Sequence, residues 1–164
     1  MDTNRTVLLT IIEKCKQRPT ETTRKTINEY HKIADKLVSL IMRDYHRLKM
    51  KLNSSLESEL ILTNEEELLF LEKIKLVIDE LVDEIPKNQS TAFILRHVQT
   101  KHWKMPYDTI AELENHNNRS DARNLIMLAR PAFLELFVFY KVVDLYFTKI
   151  ANESSLQFLL VDLQ

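Results

Sequence analysis

Apolar residues recur every three or four positions along most of this chain, which is the spacing of one face of an α-helix. The clearest stretch runs from about Thr22 to Leu52 and ends without a proline. Its apolar positions are Ile27, Tyr30, Ala34, Leu37, Ile41, Tyr45, Leu48 and Leu52. A second stretch has Leu71, Ile74, Ile78, Leu81 and Ile85 at the same spacing and stops at Pro86. The pattern predicts two consecutive amphipathic helices.

Capping signals and prolines place the ends of the shorter helices. A helix before Pro19 is predicted from the apolar residues between Val7 and Ile12. Thr63 with Glu66 three positions later is typical of a capping box, so we expect the second long helix to begin there. A shorter helix through residues 93–98 should break near Met105 and Pro106, with a brief helical turn capped by Asp108 and reaching residue 113.

The most apolar segment of the chain lies near its C-terminal end. Residues 121–151 carry apolar side chains on two faces, which is typical of a helix at the centre of a bundle. Pro131 is expected to kink this helix or to restart it. We therefore predict an all-α fold, a single domain over residues 1–164 built as a bundle of five or six helices. Residues 153–164 would form an apolar C-terminal tail.

Composition adds one strong exclusion, because none of the 164 residues is glycine, where an average chain would have about eleven. Glycine-rich loops that bring backbone N–H groups against phosphate are thereby excluded, and so are Asn-Gly hairpin turns. Asn, Ser, Thr and Pro must end the helices instead, with Asn the best remaining residue for a left-handed cap. Any phosphate chemistry must come from side chains.

Charge is balanced overall but separated along the chain. The formal net charge is −1. Residues 14–51 hold eleven Lys or Arg against four acidic residues, whereas residues 57–84 hold ten acidic residues against two Lys. Two interpretations stay open: the two long helices complement each other across their flanks, or the basic helix faces RNA or a protein partner.

Metal, thiol and membrane chemistry are not favoured. The five His residues form no metal-binding motif, so we expect no metal and no other cofactor. The single Cys15 cannot form an internal disulfide and has no evident His partner. No uncharged stretch is long enough for a transmembrane helix, and the first residues do not resemble a signal peptide. We expect an intracellular protein, cytoplasmic or nuclear, that does not bind membranes.

The segment with the most distinctive chemistry is 95–106, which reads LRHVQTKHWKMP. Arg96 can hold a phosphate through its planar guanidinium fork and stays charged. A histidine one to two helical turns away, such as His102, can pass a proton near neutral pH. Such a pair suffices to cleave RNA through its own 2′-hydroxyl without a metal ion. Lys101, Trp103 and Lys104 are the candidate RNA-binding residues of the segment.

This segment resembles the motif of the HEPN superfamily, all-helical domains whose ribonuclease members carry Arg, a polar residue and then His. Arg96 and His97 followed by His102 fit that order. Within the superfamily, the Las1-type pre-ribosomal RNA endoribonucleases look most similar. Their motif reads roughly Arg-His-x-x-Thr-His-x-x-Leu/Met-Pro, and this chain has one additional residue, Lys101, before its second His.

The resemblance implies a homodimer in which two motif copies share one cleft. Arg96 would bind the scissile phosphate, His102 would act as acid or base, and His97 would orient it. A different interpretation is that Arg96 and His102 are ordinary polar residues at a helix end and that Trp103 belongs to the core. The chain would then be a non-enzymatic helical adaptor that binds a partner helix or peptide.

Overall fold

The protein is a bundle of helices. The computed structural model describes residues 2–57, 64–99, 104–114 and 118–151. Within these ranges every regular element is helical, which confirms the all-α prediction. The elements are α1 (Asp2–Lys16), α2 (Arg24–Glu57), α3 (Glu65–Glu84), α4 (Lys87–Phe93) with a π-helical turn (Ile94–Val98), α5 (Tyr107–Leu113), α6 (Arg119–Phe139), and α7 (Val142–Leu145) with a second π-helical turn (Tyr146–Ile150). These seven α-helices exceed the five or six expected. The predicted tail 153–164 lies outside the described residues.

The main core is formed by apolar faces of α1, α2, α3, α6 and α7. A row of aromatic rings runs through it from Phe93 to Phe133, Phe137, Tyr146 and Phe70, with ring centroids between 5.2 and 6.3 Å apart. Aromatic pairs at such distances add about 0.5–1.5 kcal/mol each beyond the burial of their area. The row crosses α4, α6, the second π-helical turn and α3, so it fixes how these elements pack.

A smaller apolar cluster holds α5 against α4 and α6. Its buried members are Ala92, Ile110, Ala111, Ala122 and Ile126. Three of the five are alanines, so the helices that carry them can approach closely. This contact places Tyr107, the first residue of α5, beside the π-helical turn that follows α4.

The first three helices follow the sequence prediction, with one shift in capping. The apolar stripe of α2 is buried at Ile27, Leu37 and Ile41. Helix α3, however, is capped by Asn64 rather than Thr63: Asn64 accepts from the Glu67 N–H at 2.8 Å, and Glu67 accepts from the Asn64 N–H at 3.1 Å. Both registers satisfy the capping-box pattern in Thr-Asn-Glu-Glu-Glu, so the sequence alone could not separate them.

Two boundaries in the second half of the chain were predicted wrongly. Helix α5 begins directly after Pro106, so Asp108 lies in its first turn instead of capping it. The predicted single helix 121–151 is divided near its end. Pro131 lies inside α6, whereas the break falls at Lys141, which adopts a left-handed conformation with φ 59°.

The left-handed residue is therefore a lysine, not the asparagine expected for a chain without glycine. Its N–H donates to the carbonyl of Val138 at 3.0 Å and closes the end of α6. The ammonium group of Lys73 on α3 donates to the carbonyl of Tyr140 at 2.7 Å. These contacts satisfy carbonyl groups that a helix end leaves without partners, and so they hold a conformation that lysine disfavours.

We expect Lys141→Gly to raise the free energy of unfolding by about 1 kcal/mol, because glycine adopts positive φ without a steric cost. Urea denaturation measures the change. As a control, Lys149→Gly in the exposed part of the second π-helical turn should lower stability by about 1 kcal/mol. A destabilised Lys141→Gly protein would contradict the assignment.

Candidate functional site

A buried ion cluster surrounds Asp35, which projects from α2. Its Oδ1 accepts a hydrogen bond from Nη2 of Arg130 at 2.7 Å, and its Oδ2 lies 3.3 Å from Nη2 of Arg96. The Nζ of Lys104 is 3.0 Å from the same Oδ2. The Asp35 side chain is 16% exposed and the side chains of Arg96 and Arg130 are 7% and 2% exposed. One carboxylate thus faces three cationic groups.

The π-helical turn explains why two consecutive residues, Arg96 and His97, both point into the protein. A π-helix closes its hydrogen bonds over five residues, so it holds more residues per turn than an α-helix. Consecutive side chains then diverge less around the axis. Both residues are buried, Arg96 at 6% exposure and His97 at 0%.

Arg96 also fastens the following segment to this turn. Its Nη1 donates to the carbonyl of Met105 at 2.8 Å, while its own carbonyl accepts from the Met105 N–H at 3.1 Å. Its guanidinium lies over the ring of Tyr107, 4.0 Å from the centroid. The buried Nε of Arg96 has no hydrogen-bond partner in the described part of the chain. Arg96 therefore holds the backbone of Met105 in place and also contributes a positive charge to the cluster.

His97 is a neutral base inside the cluster. Its Nε2 accepts a hydrogen bond from Nε of Arg130 at 3.3 Å, so the ring proton sits on Nδ1, which is buried without a partner among the described residues. Burial, and then the charges of Arg130, Arg96 and Lys104, hold the pKa of His97 well below its usual value. Near neutral pH the cluster consequently carries two more positive charges than negative ones.

Arg130 is a central member that the sequence analysis did not select. Besides Asp35 and His97, it binds the hydroxyl of Tyr107 through Nη2 at 2.9 Å. The sequence does indicate a buried ion pair here. Arg130 stands between Ala129 and Pro131 in the most apolar helix, and a charge in such a helix needs a buried partner. The sequence indicates a buried role for Asp35 less clearly, because this acidic residue lies beside the apolar stripe of a basic helix.

The ionised state of Asp35 depends on its neighbours. Burial alone would raise the pKa of this carboxyl, but the charges of Arg130, Arg96 and Lys104 outweigh burial and lower the pKa below its usual value. The carboxylate is charged throughout the physiological range. It offsets part of the cost of burying two arginines.

The structure brings together three of the six residues that the sequence analysis selected: Arg96, His97 and Lys104. Lys101, His102 and Trp103 lie outside the described residues.

In the described ranges no group of three or more metal-ligating side chains is found. None of the helices in these ranges has the length and apolar character needed to span a membrane. Burial raises the pKa of the Cys15 thiol to about 12, so it stays protonated near neutral pH. No protein-family model, curated protein or solved structure matches this chain.

Removing the carboxylate is expected to be costly. Asp35→Asn should lower the free energy of unfolding by about 3–5 kcal/mol, because it leaves buried guanidinium groups without an anion. The matched control Asp83→Asn, on the exposed surface of α3, should change it by less than about 0.5 kcal/mol. Equal effects in chemical denaturation would show that the ion cluster contributes nothing specific.

His97 should make stability depend on pH. Its folded pKa is depressed, so below about pH 6.5 the unfolded state takes up a proton that the folded state does not. The contribution of His97 to the free energy of unfolding is fully present above that pH. It is lost as the pH drops toward the folded pKa. His97→Gln should reduce the slope of the unfolding free energy in this window by up to about 1.4 kcal/mol per pH unit. His31 and His46, whose pKa values are also lowered, first by burial, should contribute to the slope that remains. An unchanged slope in the variant would contradict the buried neutral state.

Proposed function

We propose that this chain is an HEPN-like RNA-binding domain that cleaves RNA without a metal ion and acts as a homodimer. One observation carries the proposal. The arginine of the motif lies in a buried cluster whose cationic groups outnumber its carboxylate three to one. A phosphodiester is a ligand that would balance this charge.

The charge surplus is the physical argument for an anionic ligand. Buried charges are costly unless they are paired, and Asp35 can neutralise only one of the three cations. The side chain of Lys104 is 40% exposed and so forms the open end of the cluster. A phosphate that approaches from solvent would meet Lys104 first, with Arg96 and Arg130 behind it adding to the positive field.

This geometry changes the role that we assign to Arg96. Its Nη groups already bind Asp35 and Met105, and its Nε is buried. We therefore propose that Arg96 is a positioning residue, which holds the segment containing Lys104 and contributes charge. The direct phosphate contact falls to Lys104.

His102 is the proposed acid or base, two residues before Lys104 in the sequence. In the reaction, the 2′-oxygen of the RNA would attack phosphorus as its proton passes to a histidine. A proton would pass to the departing 5′-oxygen, which leaves a cyclic 2′,3′-phosphate. Two copies of His102 across a dimer would supply the base and the acid. His97, buried and neutral, is proposed to hold Arg130 in place.

Cleavage of a fluorescent single-stranded RNA in EDTA tests the proposal. Wild type should cleave, and His102→Ala should lose at least about 100-fold in rate, as expected for a general acid or base, without a change in melting temperature. Lys104→Ala should bind RNA more weakly and reduce the salt dependence of binding by about one phosphate contact.

Two matched variants serve as controls. His116→Ala removes a histidine outside the motif, and Lys25→Ala removes an exposed lysine near the start of α2. Both should behave as wild type, and sedimentation should show a dimer. If wild type bound RNA but His102→Ala cleaved at the wild-type rate, the catalytic part of the proposal would fail while RNA binding would stand.

A second candidate function, a non-enzymatic helical adaptor, is favoured by one observation. Helix α3 exposes four large apolar side chains, each 42–47% accessible: Leu68, Leu69, Leu76 and Val82. Exposed apolar surface of this kind can bind a protein partner. Failure of the wild-type protein to bind RNA at low salt would favour this function over the first.

A further inference from the structure

A cavity of about 500 Å³ lies between the end of α1, the loop after it, α2 and α6. Its size falls within the range of small-molecule pockets in proteins. Four apolar side chains of α6 form much of the wall: Met127, Leu128, Pro131 and Ala132. Pro19, in the loop after α1, also lines the cavity. Leu128 is 61% exposed, so the wall opens to solvent. The cavity is separate from the segment 95–106.

One buried polar group in the cavity lining has no partner. His31, on α2, is only 8% exposed, and its Nδ1 makes no hydrogen bond to any described residue. Burial, followed by the charges of Arg130 and Arg123, lowers the pKa of His31, so the imidazole is neutral near pH 7. A neutral imidazole in a pocket wall can still make a hydrogen bond to a polar ligand atom.

The rim of the cavity is positively charged. Lys16 forms an ion pair with Glu135, so these two lining residues balance each other. Arg18 is exposed and forms no hydrogen bond or ion pair with any residue that the structure describes. Arg130 lies near enough for its charge to act on both Cys15 and His31, two further lining residues. An anionic group at the rim would therefore be favoured over a cationic one.

We infer that this cavity binds a small amphipathic carboxylate, with its apolar chain against the α6 wall and its carboxylate near Arg18 and His31. A saturated chain of about ten carbons is a suitable probe, since each buried CH₂ contributes about 0.8 kcal/mol. The site is independent of RNA binding. It uses a different surface of α6 from the one that presents Arg130 to Asp35.

Calorimetric titration of the full chain with sodium decanoate, below its micelle concentration, tests the inference. Wild type should bind one equivalent saturably, and decylamine should bind at least tenfold more weakly because it reverses the charge of the head group. Leu128→Glu should weaken decanoate binding at least tenfold, since it places a carboxylate in the apolar wall. Arg18→Glu should weaken it about fivefold.

Each variant has a matched control on an exposed surface elsewhere. Leu113→Glu makes the same change as Leu128→Glu on α5, where the leucine is 57% exposed, and Arg5→Glu matches Arg18→Glu on α1. Both should bind decanoate as wild type does. Because all four positions are exposed, the variants should keep the wild-type melting temperature. The inference is overturned if wild type shows no saturable binding, if decylamine binds as tightly as decanoate, or if Leu128→Glu binds as wild type does.

Discussion

The ionised carboxylate of Asp35 is the interaction on which the arrangement of the second half of the chain depends. It comes from α2, and the groups around it come from the π-helical turn, the segment before α5, and α6. Each of these elements has its own apolar contacts, and the ion pairs with Asp35 also hold them at fixed positions relative to α2. Hydrogen bonds have defined lengths and directions, so the cluster adds a directional constraint to the apolar packing. A shift of any one element would leave a buried charge without its partner.

The same cluster limits what the site can do. Arg96 and His97 are too deeply buried to act as an exposed pair, and Lys104 is the member of the cluster that is open to solvent. A charge surplus next to solvent favours an anion, and phosphate is an anion that Lys and Arg bind well. The acid–base part of the proposed reaction depends instead on His102. Phosphate binding is thus assigned to Lys104 and proton transfer to His102, two residues of one short segment.

The sequence predicted the fold class and the first three helices because their apolar spacing is regular and their ends carry capping residues or prolines. It failed where tertiary contacts outweigh local preference. Pro131 does not end α6, because the helix is held by packing on both sides. The helix ends before Lys141, where Lys73 of α3 donates to the carbonyl of the neighbouring Tyr140. The motif segment led to Arg96, His97 and Lys104. The carboxylate partner of Arg96 and Lys104 is Asp35, which lies 61 residues before Arg96, a distance that no local pattern reveals.

Helix α6 links the two candidate sites. Arg130 points toward the ion cluster, while Met127, Leu128 and Pro131 line the cavity. The charge of Arg130 nevertheless acts on His31, which also belongs to α2, one helical turn before Asp35. One buried arginine therefore belongs to the ion cluster and also acts electrostatically on a residue that lines the cavity.

The most direct test of the account is the pKa of Asp35, measured from the carboxyl carbon chemical shift in an NMR titration. We predict that the midpoint of this titration lies below the usual aspartate pKa of about 3.9, because Arg130 and Arg96 lower the pKa of the carboxyl. A titration of Asp35 at or above that value would show that burial outweighs the arginines, and it would contradict the central place given to this carboxylate.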